Sequence, residues 1–324
     1  MGREKHMIYK LLDGYTGLFY MIFIGISFFG TMLAFGKLMR LLPKDHGREF
    51  AVNGALSEGK PRGAGIILIT VFVLLCALFV PLSGELIVYL GLIYLAMITG
   101  YLDDASEVPW GELKKGILDM VISIGVSVTY YKVNGSEIGF LSSTFTLPAP
   151  VFIILGIILV WASINVTNCS DGIDGLCGSM SIVSILGAYA VIRKTGTDES
   201  AGLMLLTCVI VLLAYLWYNC KPSKLLMGDA GSRALGVIIA IAFLKTSHPF
   251  LFLVGAFMLI LDGGAGLVKL SFIRYLRMKN FMKDIRTPIH DHMRKNQGWE
   301  DSDVVTRFMI AQAFLTLLAV YAVG

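Results

Sequence analysis

Apolar residues run along this chain in long blocks separated by short polar clusters. The blocks show neither the two-residue alternation of half-buried strands nor the narrow stripe of a surface helix. Ten can be drawn, at 16–38, 64–82, 84–101, 116–131, 150–166, 175–193, 201–218, 234–246, 249–270 and 304–323. Most approach the roughly 20 residues that carry a helix across a bilayer core. The blocks at 116–131 and 234–246 are the shortest candidates. The pattern predicts an all-α polytopic integral membrane protein with ten transmembrane helices, folded as one transmembrane domain over 1–324.

An even number of spans puts both termini on one side. Lys and Arg concentrate in the loops after the first, third, fifth, seventh and ninth spans. The positive-inside rule makes those loops cytoplasmic and both termini extracytoplasmic. On the outer side, the loop 132–150 holds Val133-Asn134-Gly135-Ser136 followed by β-branched residues, which predicts a small external hairpin. The ninth span contains Asp262, Gly263, Gly264 and Gly266. Clustered glycines disfavour a continuous helix, so this span is expected to be broken at 262–268, carrying 267–285 away from the bundle.

Composition excludes whole classes. Apolar residues make up 56% and charged residues 15%, whereas soluble domains carry about 25% charged residues. Neither a water-soluble globule nor a disordered chain fits. A net charge of +4 is too small to argue for nucleic acid. Cys76, Cys169, Cys177, Cys208 and Cys220 lie in or beside apolar blocks without metal-site spacing, and no disulfide is expected. The first apolar block is long and is followed by basic residues, unlike a cleavable signal peptide. Met7 is an alternative natural start, which would make 1–6 an added segment.

Four polar constellations fall on the predicted cytoplasmic side. Asp103 and Asp104 end the third span, with Lys114 and Lys115 nearby. Adjacent acids point about 100° apart on a helix, so they serve different partners. They also need a cation to stay ionised together. Asn165, Asn168, Asp171 and Asp174 recur every third residue where the fifth span meets the sixth, so neighbours share a helical face. Acids at a membrane edge are costly and mark function by default. Leu226-Met227-Gly228-Asp229-Ala230-Gly231-Ser232 enters the eighth span, where backbone N–H groups can meet phosphate while an acid holds Mg²⁺. Pro288-Ile289-His290-Asp291-His292 and Gly298-Trp299 lie in a basic loop with Arg286, Arg294 and Lys295, suited to a polyanionic substrate. A transporter would instead place polar groups near span midpoints.

In this order and on alternate loops, these motifs resemble the polyprenyl-phosphate N-acetylhexosamine-1-phosphate transferase superfamily, and within it the phospho-N-acetylmuramoyl-pentapeptide transferases. The similarity runs from about Leu42 to the C-terminus. It implies a Mg²⁺-dependent transferase and homodimer in the bacterial plasma membrane, with a cytoplasmic active site. The implied reaction joins undecaprenyl phosphate and UDP-MurNAc-pentapeptide to give lipid I and UMP. A UDP-GlcNAc-type donor serving another surface polymer is the alternative.

By the resemblance, Asp103 deprotonates or positions the prenyl phosphate beside Asp104, and Lys115 is a basic residue of the same loop. Asn168, Asp171 and Asp174 match the nucleotide and metal region, with Asp171 near the uridine. Leu226 stands where the family often has an aromatic on uracil, and Asp229 matches the Mg²⁺ ligand, with Asp171 assisting. His290 and His292 match the outer two of three successive histidines, the middle one being Asp291 here. A glycine-rich stretch of the family reads Gly59-Lys60-Pro61-Arg62-Gly63-Ala64-Gly65, and Ser57 replaces a lysine. Lys60 and Arg62 are the candidates to supply that charge.

Overall fold

The computed structural model describes residues 16–45, 57–106, 108, 110–141 and 143–323. The alternative start at Met7 lies outside them. The helices are α1 (Thr16–Leu38), α2 (Gly65–Phe79), α3 (Gly84–Asp104), α4 (Glu112–Asn134), α5 (Ala149–Cys169), α6 (Leu176–Thr195), α7 (Glu199–Asn219) and α8 (Gly228–Lys245). A bent pair follows, α9 (Pro249–Gly255) and α10 (Phe257–Tyr275). The short α11 (Ile289–Asn296) and the long α12 (Asp301–Ala322) complete the chain.

Every predicted apolar block falls on a helix or on the bent pair. Seven helices are long and apolar enough to cross a membrane, or eight spans if the bent pair counts as one. This is an all-α polytopic membrane protein. Of the other two blocks, α2 is a shorter apolar helix of 15 residues. The second, α8, carries Asp229, Arg233 and Lys245.

The two shortest predicted blocks extend at their N-terminal ends, and the cause is polar pairing. Helix α4 starts at Glu112 and takes in Lys114 and Lys115, while α8 starts at Gly228 and takes in Asp229 and Arg233. Lys115 pairs with Asp229 and Asp119 with Arg233, so charged residues that end an apolar block remain helical.

Helix α8 is the axis of the bundle. It packs against α2, α3, α5 and α6, and almost every residue along it is buried. A helix with no polar face belongs inside. Its small residues allow backbones to meet: a Cβ on Gly236 would stand 2.5 Å from the Ile164 Cα, and one on Gly65 2.0 Å from the Gly231 N. Such small-residue contacts replace the hydrophobic drive that lipid cannot supply between helices. All five cysteines are free.

The ninth span is broken, but not where its glycines suggested. The bend of 66° lies at Ala256, and the helix runs through 262–268 with a π-helical turn at Ile260–Gly264. Gly263 serves packing instead, since a Cβ there would lie 2.3 Å from the Val166 carbonyl oxygen of α5. The backbone freed at the bend is satisfied by Gln312 of α12. Its Oε1 accepts from the Met258 N–H at 2.8 Å, and its Nε2 donates to the Gly255 carbonyl at 2.8 Å. Beyond the π turn, no residue of Ala265–Tyr275 is buried, so this stretch does leave the core. Replacing Gln312 by Leu orphans two backbone groups at about 1–3 kcal/mol each. A clear fall in melting temperature in detergent is expected, and unchanged melting would contradict this role.

At the end of the bundle remote from the acidic motifs, β1 (Glu137–Phe140) and β2 (Ser143–Thr146) form the expected hairpin, antiparallel with Ile138 opposite Phe145. There Lys245 closes α8 on Glu85 at 2.9 Å and Asp198 at 2.7 Å.

Candidate active site

The acidic motifs meet at one end of the bundle because α3 and α5 terminate there and α4, α6 and α8 begin there. Gly228, with φ of +73°, turns the chain into α8 hard against α3; a Cβ on it would fall 2.3 Å from Asp104 Oδ2. The approach is close on the other side too, since a Cβ on Gly100 would lie 2.4 Å from the Asp229 carbonyl oxygen. Gly100→Ala must separate α3 from the start of α8. Overpacking of this kind costs about 1–3 kcal/mol, and the variant should show both lower melting and lower turnover. Wild-type turnover in Gly100→Ala would show that this contact does not set the site.

Around Asp229 the side chains interlock. Lys115 Nζ forms an ion pair with Asp103 and donates to Asp229 Oδ2 at 3.1 Å. Asn168 Nδ2 donates to Asp229 Oδ1 at 3.1 Å and to Ser232 Oγ at 3.0 Å. Asp103 also accepts the Trp110 backbone N–H at 2.7 Å, fixing the turn between α3 and α4. Four sequence-predicted residues, Asp103, Lys115, Asn168 and Asp229, are thus brought together.

The two adjacent acids do different work, as their angular separation required. Asp104 turns away from Lys115, accepts the Ala230 N–H at 3.2 Å at the start of α8, and pairs with Arg62 Nη2 at 3.0 Å. It caps a neighbouring helix where that helix's amides need acceptors.

The remaining predicted residues form a surround. Asp174 accepts the Ser223 N–H at 3.1 Å and faces Lys60 at 3.7 Å, tying the start of α6 to the loop before α8. Asp171 is half-buried on the turn after α5, with its N–H on the Asn168 carbonyl at 3.2 Å. Leu226 is half-buried and bonds through its backbone to Pro61 and Ala64. Asn165 is turned back on its own helix, donating to the Trp161 carbonyl.

His290 is buried and its Nδ1 lies 2.8 Å from Asp262 Oδ2. A Cβ on Gly172 would lie 2.4 Å from His290 Nε2, so Gly172 admits this ring to the Asn168–Asp174 turn. His292 is placed apart, accepting the Arg286 N–H at 3.3 Å, and Asp291 pairs with Arg294 at 3.4 Å. The three positions of this motif therefore do not act as one cluster. Asp262 was not foreseen as a site residue. An acid inside an otherwise apolar span was the available signal.

Among the described residues, no three acidic, histidine or cysteine side chains form a metal-holding group. Mg²⁺ does not require one, since it is commonly held by one or two carboxylates together with substrate phosphates. Asp103 and Asp229 share one ammonium between two carboxylates. That oxygen-rich, under-neutralised set is compatible with a hard cation.

The family model of glycosyl transferase family 4 matches residues 86–247, which run from α3 through α8 and contain the whole Asp229 cluster. The phospho-N-acetylmuramoyl-pentapeptide-transferase of Treponema pallidum (strain Nichols) is 35% identical over 95% of this chain and 90% of its own length. The enzyme of the same name from Helicobacter pylori is 25% identical over 97% of this chain and 98% of its own. That from the Wolbachia of Brugia malayi is 26% identical over 77% and 80%. With motifs, site geometry and near full-length similarity in agreement, the chain belongs to the phospho-N-acetylmuramoyl-pentapeptide transferase family.

Proposed function

We propose that this enzyme transfers phospho-MurNAc-pentapeptide from UDP-MurNAc-pentapeptide to undecaprenyl phosphate, giving lipid I and UMP for peptidoglycan synthesis. The observation that carries this reading is the Lys115 ammonium held between Asp103 and Asp229, with Asn168 on the second Asp229 oxygen. One phosphoanhydride is exchanged for another, so the protein's task is to position two anionic substrates and to balance their charge.

Asp103, at the end of α3, orients the prenyl phosphate or holds its proton. An oxygen of that phosphate attacks the β-phosphorus of the donor, the bond between the α- and β-phosphates breaks, and UMP departs. Lys115 holds Asp103 in place through their ion pair, and Asn168 fixes the plane of the Asp229 carboxylate. Mg²⁺, held by Asp229 with help from Asp171, would supply charge neutralisation at the diphosphate. His290, oriented by Asp262, presents its second ring nitrogen beside the Asn168–Asp174 turn and is read as a donor-facing group.

The same reading makes the ten apolar blocks ten spans, with the acidic end cytoplasmic and both termini outside. Support comes from the basic loops at that end. A homodimer rests on the family resemblance. Asp291, which takes Arg294 instead of offering a cation, favours the second reading of a UDP-GlcNAc-type donor. Donor labelled in the sugar distinguishes them. Label from UDP-MurNAc-pentapeptide should become lipid-extractable when undecaprenyl phosphate is present. Transfer from UDP-GlcNAc alone would overturn the first reading in favour of the second.

A further inference from the structure

Arg62 reaches the site from a segment that the acidic motifs do not include. Residues 43–45 and 59–62 form a short strap: Asp45 N donates to the Lys60 carbonyl at 2.8 Å, Gly59 N to the Asp45 carbonyl at 2.9 Å, and Arg62 N to the Pro43 carbonyl at 2.8 Å. The strap lies against the loop before α8, where Leu226 N donates to the Pro61 carbonyl at 2.8 Å and Ala64 N to the Leu226 carbonyl at 3.0 Å. Gly63, with φ of +76°, lets it pass close over Tyr101 of α3; a Cβ there would stand 3.3 Å from the ring.

From this strap the Arg62 guanidinium spans two carboxylates. Nη2 bonds Asp104 Oδ1 at 3.0 Å, and Nη1 faces Asp45 Oδ1 at 3.6 Å. Asp45 is itself buried and accepts from Ser57 Oγ at 2.7 Å, so the far end of the bridge is anchored. The second Asp104 oxygen holds the Ala230 N–H, the amide directly after Asp229. A continuous chain of contacts therefore runs from Asp45 through Arg62 and Asp104 to the backbone that aims Asp229.

We propose that Arg62 is a positioning residue for the transfer, holding Asp104 on the first turn of α8 through its bridge to Asp45. The inference rests on the reaction proposed above only for its kinetic readout. Guanidinium suits the task because its planar fork offers separate N–H groups to two acids, whereas an ammonium acts as a single point charge. Lys60 plays a different part, donating to Ser223 Oγ at 2.9 Å beside Asp174.

The experiment compares wild type, Arg62→Ala and Arg62→Lys in two assays. In UMP release, Arg62→Ala should lower kcat by about 10- to 100-fold, up to the scale of a 1 Å misplacement of reacting groups. KM for the UDP-sugar should stay within about twofold. Arg62→Lys should fall between the two, since it keeps the charge but cannot span both acids. Backbone hydrogen exchange in detergent should rise at 57–64 and at Ala230 in Arg62→Ala, and stay unchanged in α6 and α7. Unchanged kcat would overturn the proposal, and so would a raised KM at unchanged kcat, which would make Arg62 a substrate contact. Wild type that releases no UMP would count against the reaction alone, and unaltered exchange at Ala230 would still overturn the positioning role.

Discussion

Asp229→Asn is expected to reduce UMP release by at least about 100-fold, the scale of removing one preorganised electrostatic contact from an active site. Both Asp229 oxygens are engaged by donors, Lys115 Nζ on one and Asn168 Nδ2 on the other. An asparagine must turn its own NH₂ toward one of them, so a donor meets a donor. The substitution also removes the charge that Lys115 and a bound divalent cation would share. Shape is nearly unchanged and Ser232 still holds Asn168, so the melting temperature should stay close to that of wild type. Near-normal turnover of this variant at saturating Mg²⁺ would sink the assignment of Asp229.

Arg233→Leu is expected to destabilise the protein by about 3–5 kcal/mol, the usual cost of stranding one member of a buried ion pair. Arg233 and Asp119 lie one helical turn deeper than Asp229 and Lys115 and are 2% and 3% exposed, with an N–O distance of 2.5 Å. Removing the arginine leaves the buried Asp119 carboxyl without its partner in the bundle. Removing both should behave differently. Among the described residues Arg233 Nε and Nη1 have no hydrogen-bond partner, so the pair is incompletely satisfied. Asp119→Leu combined with Arg233→Leu should therefore recover most of the lost stability, because paired apolar replacements of buried ions are often neutral. Unfolding of the two single variants and the double variant in detergent gives the coupling energy. A single variant as stable as wild type would contradict this account.

Much of this architecture was legible in the chain because the bilayer imposes its length on apolar blocks. The ten blocks and the gathering of acids at one end follow from that constraint and from charge distribution, and the hairpin at 137–146 from the β-branched residues after Val133-Asn134-Gly135-Ser136. Features that depend on contacts between distant segments were not legible. The bend at Ala256 is stabilised by Gln312, 56 positions away in sequence, and glycines at 263–266 drew attention to the wrong turn. Lys115 and Arg233 end two apolar blocks in the sequence, yet their ion pairs with Asp229 and Asp119 keep both stretches helical. The cluster on Asp229 was foreseen residue by residue. The separate duties of Asp103 and Asp104, the Asp262 carboxylate behind His290, and the reach of Arg62 required the fold. Asp171, expected in the nucleotide and metal region, is half-buried on the turn after α5, and His292, expected as a substrate contact, bonds the Arg286 N–H.

The central claim is that the cluster on Asp229 brings donor and lipid phosphate together for direct transfer. A single-turnover measurement of UMP tests it most directly, with purified enzyme in excess over UDP-MurNAc-pentapeptide, Mg²⁺ present, and undecaprenyl phosphate either added or withheld. The account predicts UMP equal to the donor when the lipid phosphate is present, and none above background when it is withheld. A rapid release of UMP without the lipid would mean that an enzyme side chain takes the phosphosugar first, and would contradict direct transfer.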